Sequence, residues 1–143
     1  MTQPMRRRLV ALLMTAALPV CGACDSTSDT STVAPTPVTT TEAFTATIEQ
    51  LGSTTHAFTV AAAGMVEIKL TAVEPLATMA LGVAVTSGGT VCGGDIAQNH
   101  NAKSGATALS GTAAVGSYCV RVFDAGNIPS ATTVTYSVDV THP

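Results

Sequence analysis

The sequence VTYSVDV, residues 134–140, places an apolar side chain at every second position. Successive side chains of a β-strand point to opposite faces, so this period of two indicates a strand with one buried face. The same alternation recurs over residues 44–48, 58–60, 66–70, 81–85 and 118–123. Glycine, proline and asparagine residues punctuate the intervals between these runs. The pattern predicts an all-β protein, an antiparallel, jelly-roll-like β-sandwich of seven or eight strands.

The chain begins with the features of an export signal. Three arginines at positions 6–8 precede an apolar run over residues 9–20. That run is shorter than the ~20 residues that a membrane-spanning helix needs. Residues 1–23 are therefore predicted to be a signal peptide of the lipoprotein type.

Cys24 is the predicted lipidation site, because two small residues precede it and its thiol would take a diacylglycerol. Cys21 is the alternative, although the branched Val20 crowds its cleavage site and Cys24 would then be left unpaired. The protein is expected in the cell envelope, anchored by lipid to a membrane that faces the periplasm or the exterior. Ordinary cleavage after Ala23 would instead give a secreted protein.

The rest of the chain divides into a tether and one domain. Residues 24–41 are mostly Ser, Thr, Asp, Pro and Ala, a composition that cannot bury enough surface to order itself. Residues 42–143 are sufficient for one β-sandwich domain. Without the signal, three cationic side chains face nine acidic ones, a net charge of −6. Because phosphate binding needs a clustered basic face, nucleic acid is not an expected partner.

Two cysteines fall inside the predicted domain, and we expect them to form a structural disulfide. Cys119 alternates out of phase with Val120 and therefore points away from the core, while Cys92 lies in a glycine-rich loop. A surface disulfide that pins this loop follows from the pattern. The domain has no CxxC spacing of the kind that redox or metal-binding thiols show.

Several segments resemble the bacterial pre-peptidase C-terminal domain. The resemblance is carried by residues 56–60, by residues 63–70, by residues 116–122 and by residues 136–140. It implies a jelly-roll-like sandwich that acts as an extracellular accessory module, in a family where some members bind collagen or calcium. It carries no catalytic residues, and no protease domain accompanies the module in this chain.

The segment over residues 95–101 concentrates polar side chains after a Gly-Gly turn, and a solvent-exposed polar loop accounts for it. Calcium bound by Asp95, Asn99 and Asn101 is an alternative, but one carboxylate with two amides is a low-affinity set. The expectation is thus no cofactor, with calcium as the alternative. His100 and Asp95 are the residues that a small hydrolase would use, although no G-x-S-x-G motif accompanies them.

Other polar residues fit structural roles. His56 shares the phase of Phe58 and is predicted to cap the core where its strand begins. His142 is expected in a frayed tail, and Asp124 and Asn127 suit a tight turn around a glycine.

These observations predict a non-catalytic module with a binding or structural role. Its partners would be a membrane, through the lipid, and an extracellular protein or polysaccharide. The alternative is a secreted accessory domain of a hydrolase, or a small hydrolase, acting on extracellular protein or carbohydrate. Sugar stacking is disfavoured because Tyr118 and Tyr136 share the inward phase and Phe123 alone points outward.

Overall fold

The computed structural model describes residues 36–88 and 91–143. The predicted signal peptide, both candidate lipidation cysteines and most of the predicted tether lie outside these residues. In the part of the chain that is described, no helix is long and apolar enough to cross a membrane. Eight strands form the fold: β1 (Thr40–Ile48), β2 (Ser53–Val60), β3 (Gly64–Glu74), β4 (Leu81–Ser87), β5 (Asp95–Ala102), β6 (Ala106–Ala113), β7 (Gly116–Phe123) and β8 (Val134–His142).

The strands make two four-stranded antiparallel sheets. One sheet has the order β1-β8-β3-β6 and the other has the order β2-β7-β4-β5. Strand β1 lies against β2 at one side of the molecule, and β5 lies against β6 at the other. This order of eight strands in two packed sheets is that of a jelly roll, so the predicted β-sandwich is confirmed.

The alternating residues of the sequence form the core between the sheets. In β8, Val134, Tyr136, Val138 and Val140 are fully buried, whereas the residues between them are exposed or half-buried. Buried residues of β3, β4 and β7 form most of the rest of the core: Val66, Ile68, Leu70, Val73, Leu81, Val83, Val120 and Val122. The period-two pattern thus identified the buried face of the central strands.

The expectation of a polar loop over residues 95–101 is wrong, because this segment forms strand β5. Asp95–Ala102 is a strand that pairs with β4, and the register of this pairing shifts at two points. Ala106–Ala113 pairs with β3. Both are edge strands in which few side chains reach the core, so they lack the apolar alternation that marks the central strands.

The predicted disulfide between Cys92 and Cys119 is present, with a Cα–Cα distance of 5.8 Å. Cys119 lies in β7 opposite Thr86 of β4, on the face of the sheet that points away from the core. It is nevertheless buried, with 1% of its surface exposed. The expectation of a surface site is therefore wrong for Cys119, because the bonded loop residue Cys92 lies over it.

Two expectations about the ends of the domain were wrong. His142 is not in a frayed tail: it ends β8, is buried, and its Nε2 lies 2.8 Å from Oε1 of Glu42. At the other end, β1 begins at Thr40, because Thr40 and Thr41 pair with the end of β8. The predicted tether therefore extends two residues too far into the folded domain.

Asp124 organises the turn that follows β7. Its Oδ1 accepts hydrogen bonds from the backbone N–H groups of Gly126, Asn127 and Ile128, at 2.8, 2.8 and 3.1 Å. Its Oδ2 accepts a bond of 3.0 Å from the N–H of Leu51, in the β1–β2 turn. Partial burial acts to raise the pKa of Asp124, but these four donors outweigh it and hold the pKa below its ordinary value. The predicted tight turn is confirmed, and its carboxylate also joins two loops.

Asp124→Asn is expected to lower the free energy of unfolding by about 2 kcal/mol, because the charge that several N–H groups stabilise is removed. A lowered carboxyl pKa contributes stability above the unfolded pKa, so the difference from wild type should shrink below about pH 4 and disappear as the pH falls through the lower folded pKa. Urea unfolding between pH 3 and pH 7 measures both effects. Glu49→Gln, an exposed residue beside the same β1–β2 turn, is the matched control. An unchanged stability at pH 7 would contradict this role.

Candidate functional site

An apolar cleft opens between the two sheets at the side where β5 lies against β6. It encloses about 210 Å³. Its lining comes from five core side chains, from two residues of β5 and from the end of β6 with the turn after it: Phe58, Val66, Ile68, Val85, Tyr118, Ile96, Ala97, Leu109, Ser110, Gly111, Thr112, Ala113 and Ala114. No charged side chain belongs to this lining. Such a cleft suits an apolar group and offers no charge to a polar one.

The cleft exists because small residues stand where the core would otherwise be filled. Gly111 pairs with the buried Val66 in β3 and therefore lies on the inward face of β6. A Cβ built at Gly111 would have no atom within 4 Å, so the missing side chain leaves open space. Ala97 of β5 and Ala113 of β6 also line the cleft, and their side chains are short. The missing side chain at Gly111 thus contributes to the open space of the cleft.

Exposed apolar side chains occur in the segments that line the cleft and next to them. Ile96, which lines it, is 61% exposed, and Val115, which follows the lining residue Ala114, is 64% exposed. Met65, whose register partner Thr112 also lines the cleft, is 59% exposed. Exposed apolar residues that gather around one concavity are typical of an interaction site.

The cleft has a defined size. Its volume of about 210 Å³ exceeds the roughly 150 Å³ of an apolar cavity that holds benzene, and it is smaller than the roughly 300 to 1,000 Å³ of drug-sized pockets. One aromatic ring or one branched aliphatic side chain fits this space. The larger depression of about 310 Å³ beside the β1–β2 turn is lined by polar residues such as Glu49 and Gln50, so it does not suit an apolar group.

The residues considered for calcium do not converge. Asp95 forms an ion pair with Arg121 of β7. The side-chain amide of Asn99 instead donates to the carbonyl of Ala108 in the opposite sheet, at 2.9 Å. Asn99 Oδ1 also accepts a 2.8 Å bond from the N–H of Asn101. Among residues 36–88 and 91–143, no three His, Cys, Asp or Glu side chains lie close enough together to hold a metal ion. Asp95, Asn99 and Asn101, the ligands of the calcium alternative, are therefore not brought together in the described residues.

His100 and Asp95 do not form a catalytic pair either. The His100 ring meets the edge of Phe123 at a centroid distance of 5.3 Å, and Asp95 is engaged by Arg121. Phe123 itself lies over Gly82, where a Cβ would overlap its ring, and Arg121 lies 4.5 Å from the ring centroid. These contacts form a packed outer surface on β4, β5 and β7. They favour a structural role for the one outward aromatic residue.

His56 and Tyr136 form a polar contact between the two sheets. The Nε2 atom of His56 lies 2.8 Å from the Tyr136 hydroxyl, and the imidazole stacks on Phe44 at 4.8 Å. Burial lowers the pKa of His56 and raises the pKa of Tyr136, so both groups are neutral near pH 7. Every buried side-chain nitrogen and oxygen in the described residues has a hydrogen-bond partner. The histidine thus sits at the side of the core, as its phase in the sequence predicts.

Acid is expected to weaken the fold through His56. A histidine whose folded pKa is lowered contributes stability above its unfolded pKa of about 6.5, and this contribution is lost as the pH falls below it. The free energy of unfolding should decline between pH 6.5 and pH 5, and His56→Gln should flatten that decline. Urea unfolding at several pH values measures the slope. An equally steep decline in the variant would assign the effect to another group.

Sequence reasoning did not identify the cleft. The run of Ala, Thr, Ser and Gly over residues 106–113 has only Leu109 as a large apolar residue, so neither its strand nor its inward face stands out. The only signal is a weak one, the lack of charge over residues 104–120.

No family model matches the chain, and its sequence matches no curated protein.

Proposed function

We propose that the protein is an exported, non-catalytic binding module that receives an apolar group of an extracellular ligand in the cleft between β5 and β6. The observation that carries this proposal is the half-open apolar cleft beside Gly111 with its uncharged lining. The lipoprotein-type start of the chain supports an anchor on Cys24 in the cell envelope. The resemblance to the pre-peptidase C-terminal domain supports the same class of module.

The chemistry of the cleft favours binding over catalysis. Its polar lining consists of Ser110 and Thr112 on β6, and neither hydroxyl has a hydrogen bond to a histidine or a carboxylate in the described residues. His56 contacts Tyr136 and His142 contacts Glu42, and both contacts lie on the side of the sandwich where β1 lies against β2. An apolar group gains free energy in the cleft by leaving water, at about 25 cal/mol for each Å² of apolar surface removed.

Toluene tests the proposal, because its ring matches the size of the cleft. Ligand that binds only the folded state raises the unfolding midpoint, and a concentration ten times the Kd adds about 1.4 kcal/mol. For a domain of this size we expect a rise of roughly 6 to 7 °C. Differential scanning calorimetry in sealed cells with and without toluene makes the measurement. An unchanged or lower midpoint would contradict the proposal.

Gly111→Val is expected to fill the cleft without harming the fold. The glycine does not have a left-handed backbone conformation and a Cβ there meets no atom, so valine fits the strand. A β-branched residue in a strand is favoured over glycine by about 0.5 to 1 kcal/mol, so stability should be unchanged or higher. The toluene effect should disappear in this variant. Ala43→Val, at an exposed position of β1 in the same sheet, is the control that should keep it.

Export and lipidation are tested separately by intact mass. Protein from the membrane fraction of a bacterial host is expected to begin at Cys24, to carry the mass of a lipid, and to lack the two hydrogens of one disulfide. Cys24→Ser should move the protein out of that fraction, whereas Cys21→Ser should not. A soluble species without lipid would contradict the anchor and leave the binding proposal intact.

A further inference from the structure

The edge of β6 borders the cleft along its whole open side. Residues 109–113 of this strand line it consecutively, as does the next residue, Ala114. Neighbouring side chains of a strand point to opposite faces, so the side chains of consecutive residues cannot all line one cleft. Consecutive residues line the same cleft only where the backbone edge of the strand borders it. β6 is the last strand of its sheet and pairs with β3 alone. Its second edge therefore carries backbone groups without a strand partner.

This edge also lacks the features that protect edge strands from pairing. Two of the other three edge strands carry acidic side chains, Glu42 in β1 and Asp95 in β5, whereas β2 has only His56, which is neutral near pH 7. β5 has two register irregularities as well. The sequence of β6, ATALSGTA, contains neither a charge nor a proline. An edge of this kind is a template for an added strand.

The structure also defines where an added strand would end. The Asn99 amide donates to the carbonyl of Ala108, so a side chain of β5 already occupies the β6 edge at that residue. The Tyr118 hydroxyl donates to the carbonyl of Ala114 at 3.1 Å, so the accessible stretch is residues 109–113. Five residues of extended chain span about 17 Å.

We propose that the ligand is an extended polypeptide segment that pairs with the edge of β6 as a fifth strand and inserts an apolar side chain beside Gly111. This inference rests on the proposed function, because it names the class of ligand for the same cleft. A peptide supplies backbone donors and acceptors for the edge and an apolar side chain for the cleft, whereas an acyl chain supplies only the second. Main-chain bonds with a side-chain pocket are the general features of strand addition.

The probe is an acetylated, amidated hexapeptide that alternates threonine with valine and has leucine at one central apolar position. We expect saturable binding by calorimetry, and a loss of at least about tenfold when aspartate replaces that leucine, since a carboxylate would be buried unpaired. Gly111→Val should abolish binding, and Ala43→Val should leave it unchanged.

Backbone methylation separates strand pairing from simple occupation of the cleft. Alternate N–H groups of an added strand point toward β6, and the others point away. Two peptides, each N-methylated at one of the two alternate sets, should therefore differ: one should lose binding by about fivefold or more for each methyl group, and the other should retain it. Equal affinity of the two would overturn strand pairing.

The remaining outcomes are also decisive. Toluene binding without peptide binding would overturn the polypeptide inference and leave the proposed function standing. Loss of both would remove the proposed function itself. Self-association of the wild type by sedimentation, abolished in Gly111→Val, would show that a second copy of the chain occupies the edge and would overturn the inference.

Discussion

Replacing both cysteines of the disulfide, in the variant Cys92→Ala with Cys119→Ala, is expected to lower the free energy of unfolding by about 3 to 4 kcal/mol. The bond closes a loop with a sequence separation of 27 residues, which contains β5, β6 and the start of β7. Without it, the unfolded chain regains the entropy of that loop. β5 and β6 are edge strands with few buried side chains, so they depend on this constraint more than the central strands.

Urea unfolding followed by far-ultraviolet circular dichroism measures this loss. Reduced wild-type protein is the control, because it should unfold at nearly the same urea concentration as the double variant. Stability within 1 kcal/mol of the oxidised wild type would contradict the assigned role. Because β5 and β6 also form the cleft, we expect reduction of the disulfide to weaken toluene binding under conditions in which the domain as a whole is still folded.

Tyr136→Ala is expected to cost about 3 to 5 kcal/mol, the range for deleting a large buried aromatic side chain. Tyr136 is fully buried in β8, between β1 and β3, and it is the largest fully buried side chain. Domains of this size are stable by roughly 5 to 15 kcal/mol, so the variant should be close to unfolding at 37 °C. The measurement is the midpoint of thermal unfolding.

Tyr136→Phe is the matched control for the ring. It keeps the packing and removes only the hydroxyl that contacts His56 at 2.8 Å. We expect a loss of about 1 kcal/mol, the usual value for one hydrogen bond. If Tyr136→Phe were as damaging as Tyr136→Ala, the hydrogen bond between the sheets would dominate, and burial of the ring would not.

The central strands could be predicted from the sequence because their chemistry is repetitive. In β8 and β3 the alternation of valine, isoleucine and leucine with polar residues determines which face is buried. Residue phase also placed His56 beside the core. The pairing of Cys92 with Cys119 followed from the number of cysteines left in the domain.

The edge strands and the cleft could not be predicted in the same way. β5 reads DIAQNHNA, a composition that suits a loop as well as a strand, and pairing with β4 decides between them. His142 appeared to be in a tail because its partner, Glu42, lies 100 residues earlier in the chain. Gly111 contributes by lacking a side chain, and a missing side chain becomes a cavity only when the neighbouring strands are in place. Long-range packing supplied each of these features.

The position at which toluene binds decides whether the cleft between β5 and β6 is a binding site. Amide chemical shifts of ¹⁵N-labelled wild type, Gly111→Val and Ala43→Val are followed during a toluene titration. We expect saturable chemical-shift changes at Ala97, Gly111 and Ala113 in the wild type and in Ala43→Val. We expect none at these positions in Gly111→Val. Changes centred on Phe123 and His100, or changes unaffected by the valine at position 111, would contradict a binding site between β5 and β6.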